Sequence, residues 1–221
     1  MEHIVKIFSI EPVTHNVRRI RYEKPGSYSF TPGQATDVSI NKPGWENELR
    51  PFTFTCLTDE SYLEFTIKIY RDHNGVTNEI GKLMAGDEFI IRDVWGAIEY
   101  KGPGYFIAGG AGITPFIAIL RFLKKANKLE GNTLFFSNKT SKDIILENEL
   151  TAMLGINAMY LLTEENSSQY HRGPINEQFL KSHVQDFKKH FYVCGPPKMI
   201  EDISTILIKL GASPDTVIFE K

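Results

Sequence analysis

The stretch Phe106 to Pro115 reads FIAGGAGITP, and it decides the prediction of the fold. An apolar run enters a glycine-rich turn, and a proline follows at a position where a helix can begin. Backbone N–H groups at such a helix start can approach an anionic ligand because no side chains stand in the way. The spacing of Gly110, Gly112 and Pro115 lacks the third glycine of the usual dinucleotide motif, so the turn needs support from the rest of the chain.

Downstream of residues 101–104, Lys-Gly-Pro-Gly, apolar strand-like runs alternate with helical ones. This alternation predicts a parallel sheet with right-handed crossovers. The predicted strands are Tyr105 to Ala108, Asn132 to Ser137, Ala158 to Leu162, Phe191 to Cys194 and Thr216 to Phe219. The predicted helices are Pro115 to Leu129, Ser141 to Leu154, Ile175 to Lys181 and Pro197 to Leu210.

Upstream of that boundary the pattern differs, because short β-rich runs are separated by turn residues such as those at 24–26, 31–33 and 41–44. This spacing predicts an antiparallel barrel or sandwich, with one helix near Thr77 to Met84. We therefore expect two domains: an antiparallel β-barrel over residues 1–101 and an α/β nucleotide-binding domain over 102–221.

Composition restricts the class of protein. Hydrophobic residues make up 42% of the 221 residues and charged residues 24%, both ordinary globular values. The net charge of -2 gives no reason to expect a nucleic-acid partner. No apolar stretch approaches the roughly 20 residues that cross a bilayer, and the first ten residues lack the order of a secretory signal. These features favour a cytoplasmic protein without a membrane span.

Cysteine and histidine usage argues against metal chemistry within the chain. Cys56 and Cys194 are its only cysteines, too few to ligate an iron-sulfur cluster. The six histidines are scattered without metal-ligand spacing, so we expect no metal site.

Five motifs occur in one order along nearly the whole chain, and together they resemble the ferredoxin-NADP reductase superfamily. Within it, residues 137–144 are most similar to cytochrome b5 reductases, whereas the short length resembles bacterial flavodoxin and ferredoxin reductases. The motifs are Phe30 to Gln34, Arg50 to Thr53, Gly75 to Asn78, Gly110 to Pro115 and Cys194 to Pro196.

The resemblance implies that the first domain binds a flavin, FAD rather than FMN. It assigns flavin phosphate to Arg50, the isoalloxazine ring to Phe52 beside Pro51, and a hydrogen bond near N5 to the Thr53 hydroxyl. A planar guanidinium, an aromatic face and a hydroxyl suit these tasks. The alternative is a purely structural role, as a strand with one surface arginine and one core phenylalanine.

Two further barrel segments are assigned to the flavin by the resemblance. The first is the strand Ile67, Lys68 and Ile69, whose backbone would contact the pyrimidine edge. The second is Gly75, Val76, Thr77 and Asn78, at a predicted helix start that favours phosphate. Ordinary strand packing and helix capping explain these residues equally well.

In the second domain the resemblance assigns the nicotinamide nucleotide to two turns. Thr114 would sit between nicotinamide and flavin, and the Cys194 thiol would lie beside the reacting carbon. With Thr53, these are the candidate catalytic residues. A cysteine that ends an apolar strand is otherwise more often inert core. The further candidate cofactor contacts are Gly110, Ala111, Gly112, Ile113, Pro115, Gly195, Pro196 and Met199.

The sequence leaves three points undecided. Phe219 either covers the second face of the flavin or simply ends the last strand, and Trp95 either contacts the adenine part of FAD or packs the barrel. Ser137, Asn138 and Lys139 offer a cation for a 2'-phosphate, whereas Glu164 and Glu165 would repel one. The donor is NADH or NADPH, and the resemblance of residues 138–144 favours NADH.

We therefore expect a flavin-dependent NAD(P)H oxidoreductase that passes hydride to flavin and single electrons to ferredoxin, flavodoxin or a cytochrome. The alternatives are a free-flavin or ferric reductase with a diffusible acceptor, and a non-catalytic flavin-binding subunit. Clusters of basic residues at 18–21 and 124–128 either dock an acidic carrier or form solvated faces.

Overall fold

The computed structural model describes residues 1–96 and 98–219. It contains two six-stranded sheets, one antiparallel and one parallel, and helices accompany the parallel sheet. The predicted fold class is therefore confirmed. The first sheet ends at Trp95 and the second begins at Gly104, so the boundary predicted after Lys101 falls in the connection between them. The last two residues of the predicted second domain, 220 and 221, lie outside the described part.

The first sheet curves into a barrel, in the strand order β4-β3-β6-β1-β2-β5 with every neighbouring pair antiparallel. A bridge between Phe54 and Phe65 and a hydrogen bond from Thr55 N to Glu64 O (2.9 Å) join its two edges. The strands are β1 (His3–Thr14), β2 (Val17–Glu23), β3 (Ala35–Ile40), β4 (Arg50–Thr53), β5 (Tyr62–Lys68) and β6 (Glu88–Trp95), with helix α1 (Val76–Ile80) after β5.

Aromatic rings fill the barrel. Phe54 is fully buried, its ring stacked 4.4 Å from that of Phe30 and 5.3 Å from that of Phe65. Tyr22 and Phe89 complete the cluster from β2 and β6. Because rings from strands distant in sequence meet here, the cluster fixes the strand register that presents β4 and β5 to the second domain.

The second sheet has the order β10-β9-β8-β7-β11-β12, and all its pairings are parallel. Two helices cover each face. We call this domain the α/β lobe, with elements β7 (Gly104–Gly109), α2 (Thr114–Lys125), β8 (Thr133–Asn138), α3 (Glu147–Leu154), β9 (Ala158–Leu162), β10 (His171–Arg172), α4 (Glu177–His183), β11 (His190–Cys194), α5 (Pro197–Lys209) and β12 (Val217–Phe219).

The helix predicted over residues 141–154 is interrupted. A short 3-10 turn spans Ser141–Asp143, closed by reciprocal hydrogen bonds between Thr140 and Asp143. The α-helix begins at Glu147, directly after Leu146, which has a left-handed φ of 54°. Such a backbone angle at a branched residue breaks the helix, and residue pattern by itself gives no sign of it.

The two lobes share a packed interface. Val17 of the barrel is fully buried within the hydrophobic cluster that α2 forms on the sheet, and Ile98 of the connection joins the same cluster. A Cβ on Gly33 would lie 2.1 Å from Ile98 O and 3.2 Å from a methyl group of Ile119, so this barrel turn lies directly against the backbone of the connection and close to helix α2. The interface therefore holds α2 at a set place on the barrel.

The aromatic cluster yields a test of barrel closure. Phe54→Ala should lower the free energy of unfolding by about 3–5 kcal/mol, because it removes a ring from a filled core. The matched control is Phe8→Ala, whose side chain is 54% exposed, and whose effect should stay within about 0.5 kcal/mol. Urea unfolding followed by circular dichroism measures both values, and equal midpoints for the two variants would contradict the described core.

Candidate functional site

A cavity of about 600 Å³, which we call the cleft cavity, lies between the two lobes and is lined by both. It brings together residues from four of the five sequence motifs, from Pro51 to Pro196, which are 145 positions apart in the chain. The barrel contributes Pro51, Phe52, Thr53, Thr66, Ile67, Lys68, Tyr70, Thr77 and Trp95. The α/β lobe contributes Gly109, Ala111, Gly112, Thr114, Cys194, Gly195, Pro196 and Pro197.

The barrel wall of the cleft cavity is built by β4 and β5, which lie at the two joined edges of the barrel. Phe52 is half-buried and its ring lies 5.8 Å from that of Phe65 in the core. Thr53, the last residue of β4, is 9% exposed. The wall therefore presents a fixed aromatic ring beside a hydroxyl group.

The opposite wall lies where the strand order of the parallel sheet reverses, between β7 and β11. Ligands of open α/β sheets bind at this point, outside the carboxyl ends of the strands. Cys194, which ends β11, is 6% exposed and pairs in register with Ala108 of β7. The 3-10 turn Gly110–Ile113 follows β7 and leads directly into α2 at Thr114.

At position 112 of this wall only glycine fits without a steric clash. A Cβ there would lie 2.3 Å from Cys194 O and 2.5 Å from its carbonyl carbon, both backbone atoms that cannot move aside. Gly109 is also crowded, with Met199 Sδ 2.5 Å from its would-be Cβ. The glycine turn and Cys194 are thus in direct backbone contact, which keeps the turn next to the thiol.

A second cavity of about 790 Å³ adjoins the cleft cavity and shares Lys68 and Tyr70 with it. Charged residues line much of it: His15, Arg71, Asp72, Lys139, Lys142, Asp143 and Glu164. The two cavities together suit a ligand that extends from an apolar cleft into a polar, charged groove.

Lys139 and Glu164, two of the charges predicted to select the donor, line this second cavity. Lys139 Nζ lies 2.9 Å from Glu164 Oε1, and the hydrogen bond to this carboxylate raises the pKa of Lys139. The Glu165 carboxylate accepts hydrogen bonds from Ser141 N (2.8 Å) and Ser141 Oγ (3.0 Å). The predicted cation is therefore paired with a carboxylate from this chain.

Several predicted residues lie outside the cleft cavity. Arg50 is exposed, and its Nη1 donates to the neighbouring Leu49 O (2.5 Å). Phe219 lies in the last strand of the sheet and packs partly buried on the core of the α4 and α5 face. Three predicted residues are buried inside the lobes: Val76, Ile113 and Pro115. Met199 packs behind the glycine turn, and the second cavity is lined by Ile69 and Lys139. Four further predicted residues line neither of the two cavities: Gly75, Asn78, Gly110 and Ser137.

Asn138, at the carboxyl end of β8, is a special case. Its side chain is 5% exposed, and neither its amide nitrogen nor its amide oxygen has a hydrogen-bond partner among the described residues. Because a buried amide without partners is costly, this position is a candidate for a bound polar group.

An ion-pair cluster beside the site was missed by sequence reasoning. Arg121 of α2 donates to Glu64 Oε1 of the barrel (2.8 Å) and, through Nε and Nη2, to both oxygens of Glu149 (2.6 and 2.9 Å). Burial lowers the pKa of Arg121, but the hydrogen bonds and charges of Glu149 and Glu64 outweigh burial and raise it overall. The guanidinium therefore stays charged in the interface.

The cleft cavity fits the flavin that the sequence motifs imply. It offers Phe52 as an aromatic face, apolar walls at Pro51 and Ile67, and the Thr53 hydroxyl. A Cβ on Gly75 or Gly110 would meet no atom within 4 Å, so the backbone at both predicted phosphate turns is open to a ligand. No group of three His, Cys, Asp or Glu side chains in the described part could hold a metal ion.

Comparisons with known proteins identify the family and the fold. The family model "Oxidoreductase NAD-binding domain" matches residues 106–205. NADH-cytochrome b5 reductase 2 of Aspergillus oryzae is 30% identical, over 96% of this chain and 76% of the relative. The reductase component of propane 2-monooxygenase from Rhodococcus jostii is 24% identical over 98% of this chain, which spans 62% of that relative's length.

Among solved structures, a ferredoxin NADP+ reductase from Neisseria gonorrhoeae with bound FAD and NADP superposes with a TM-score of 0.88. Its sequence is 18% identical, and the match covers 99% of this chain and 98% of that one. The two-lobed fold is thus shared over the full length of both chains.

The contact between Gly112 and Cys194 predicts the effect of adding a methyl group. Gly112→Ala should lower the melting temperature by about 5 °C or more, since the overlap with backbone atoms forces the turn away from β11. Gly26→Ala is the control, because a Cβ there meets nothing within 4 Å. Differential scanning calorimetry compares the two, and equal melting temperatures would refute the close approach.

Proposed function

Because the chain belongs to the ferredoxin-NADP reductase superfamily, which includes its NADH-cytochrome b5 reductase relatives, we propose that it is a flavin-dependent NAD(P)H oxidoreductase. In this proposal the barrel binds FAD and the α/β lobe binds the nicotinamide nucleotide. When bound, the flavin accepts a hydride from the nicotinamide and passes electrons singly to a carrier.

One observation carries the proposal. Phe52 and Thr53 of the barrel and Thr114 and Cys194 of the α/β lobe line the same cavity. Hydride transfer needs two rings in face-to-face contact, with donor and acceptor atoms roughly 3–3.5 Å apart. A cavity walled by two flavin motifs and two nucleotide motifs supports such an arrangement.

On the barrel side, we assign the flavin ring to Phe52, which would lie against one face, and to Thr53, whose hydroxyl would donate to the ring edge. Thr77 lines the same cavity at the start of α1 and would contact the phosphates. Arg50 has its guanidinium at the surface beside Leu49, so its phosphate contact requires a change of rotamer on binding. The exposed side chain is free to make that change.

On the nucleotide side, we assign the pyrophosphate to the turn at Gly110 to Ile113, whose backbone N–H groups precede helix α2. Thr114 Oγ1 already donates to Ala111 O (3.1 Å), which holds the hydroxyl at the cavity wall. Cys194 would pack against the nicotinamide ring and, with Pro196, exclude water from the reacting carbon.

We propose NADH as the preferred donor. Lys139, the cation after β8, is paired with Glu164 at 2.9 Å, and the Glu165 carboxylate accepts hydrogen bonds from Ser141 N and Oγ. A 2'-phosphate brought here would face two carboxylates, whereas a ribose 2'-hydroxyl would find acceptors. The unpartnered amide of Asn138 is the further group we assign to the bound nucleotide.

The acceptor in this proposal is a small redox protein. The two relatives described above are a cytochrome b5 reductase and a monooxygenase reductase component, which supports a protein acceptor. Of the basic cluster at 18–21, Arg19 and Arg21 are paired with Glu11 and Glu64, so they offer little to a partner.

A cytoplasmic location would suit an enzyme that uses NADH. No helix in the described part has the length and apolarity of a bilayer span.

The purified protein should show a flavin absorbance band near ~450 nm that bleaches on anaerobic addition of NADH. NADPH should bleach it only at higher concentration, because of Glu164 and Glu165. A protein without the band, or with a band that neither nucleotide bleaches, would refute the proposed function. Equal potency of the two nucleotides would refute the donor preference only.

Cys194→Ala should slow flavin reduction at saturating NADH by about tenfold, because the nicotinamide loses the side chain that packs against it. Flavin content should stay unchanged. Cys56→Ala is the matched control, since this buried thiol lies in the barrel core outside the cavity. Rapid-mixing absorbance measures both rates, and a wild-type rate in Cys194→Ala would remove its assigned role.

A further inference from the structure

Helix α2 connects the nucleotide turn with the barrel. Its first residue, Thr114, lines the cleft cavity. Arg121 lies seven positions later, which is about two helical turns, so both side chains project from the same side of the helix. A shift of Arg121 relative to the barrel would therefore move Thr114 and the glycine turn with it.

Arg121 is anchored on the barrel by two hydrogen bonds. Its Nη1 donates to Thr55 O (2.6 Å) and to Glu64 Oε1 (2.8 Å). The Arg121 side chain is 17% exposed and that of Glu64 only 2%. Because a buried carboxylate must be paired, and the planar fork of arginine has directional donors, this contact defines a geometry rather than a loose attraction.

From Glu64 the hydrogen bonds continue to the wall of the cleft cavity. Thr55 Oγ donates to Glu64 Oε1 (3.0 Å) and lies 3.1 Å from Thr66 Oγ. Thr66 lines the cavity on the flavin side. The path Arg121, Glu64, Thr55, Thr66 thus runs from the helix that begins at the nucleotide turn to the strand that forms the flavin wall.

We propose that Arg121 is a positioning residue for hydride transfer, which sets the distance between the nicotinamide and flavin walls through Glu64. This inference rests on the proposed function and adds to it a residue outside the cavity. Arg121 touches neither ligand, and it acts by holding α2 on the barrel.

A second ion pair between the lobes provides the contrast. Lys125, one turn further along α2, pairs with Asp59 of the barrel, but both side chains are more than half exposed. Solvent screening weakens such a pair, and flexible lysine imposes little geometry. If hydride transfer required only electrostatic attraction between the lobes, removal of either ion pair would lower the rate of flavin reduction equally.

The test compares Arg121→Met with Lys125→Met by anaerobic rapid mixing with NADH. Arg121→Met should lower the limiting rate of flavin reduction at least about tenfold, because small displacements of reacting groups are costly. It should change the dissociation constant of NADH less than about threefold, and weaken the long-wavelength charge-transfer absorbance of the nicotinamide–flavin pair. Lys125→Met should leave all three quantities near wild type.

A double variant separates positioning from stability. Arg121→Met takes from the buried Glu64 carboxylate one of its two arginine partners and leaves it only Arg21, so this variant is expected to be less stable. Adding Glu64→Gln removes that charge and should restore much of the melting temperature but not the rate, whereas Arg121→Lys should restore part of the rate.

Three outcomes can be distinguished. A wild-type limiting rate in a folded Arg121→Met or double variant would overturn the inference and leave the proposed function intact. A rate that recovers together with the melting temperature in the double variant would also overturn it, since the role would then be structural only. Wild-type protein whose flavin neither nucleotide reduces would refute the proposed function, and with it this inference.

Discussion

The carboxylate of Glu64 constrains how the two lobes sit against each other. It is almost fully buried, and its oxygens accept from Arg121 of the α/β lobe and Arg21 of the barrel. Removing a partner from such a buried pair typically costs about 3–5 kcal/mol. The pairing therefore resists any separation of α2 from β5, and these two elements carry opposite walls of the cleft cavity.

The second constraint is the contact of the glycine turn with the end of β11. Parallel strands bring their carboxyl ends to one edge of the sheet, and the reversal of strand order between β7 and β11 opens a crevice there. Gly112 lies directly on the Cys194 carbonyl group, since a Cβ would have no room. The glycine turn and the end of β11 thus form one continuous surface.

Sequence reasoning predicted the two-lobed fold because its signals are local. Turn residues, strand periodicity and the glycine turn at 110–112 each report on a few neighbouring positions. The same reasoning gave no hint of the break at Leu146 or of the Asn138 side-chain amide that is buried without a partner among the described residues, since both depend on tertiary packing. The pair formed by Glu64 and Arg121 had a weak sequence signal, because each is the only charged residue in a mostly apolar run, LEFTI and AILRFL. Only the structure shows that these two charges face each other.

The proposed reaction depends on direct contact between a nicotinamide and a flavin across the cleft. Its most direct test is the rate of flavin bleaching with NADH carrying deuterium in place of both hydrogens at C4 of the nicotinamide. If the hydride passes directly between the rings, the limiting rate should be slower with deuterium than with hydrogen. Identical limiting rates, in a protein whose bleaching follows chemistry rather than binding, would contradict face-to-face transfer in this cavity.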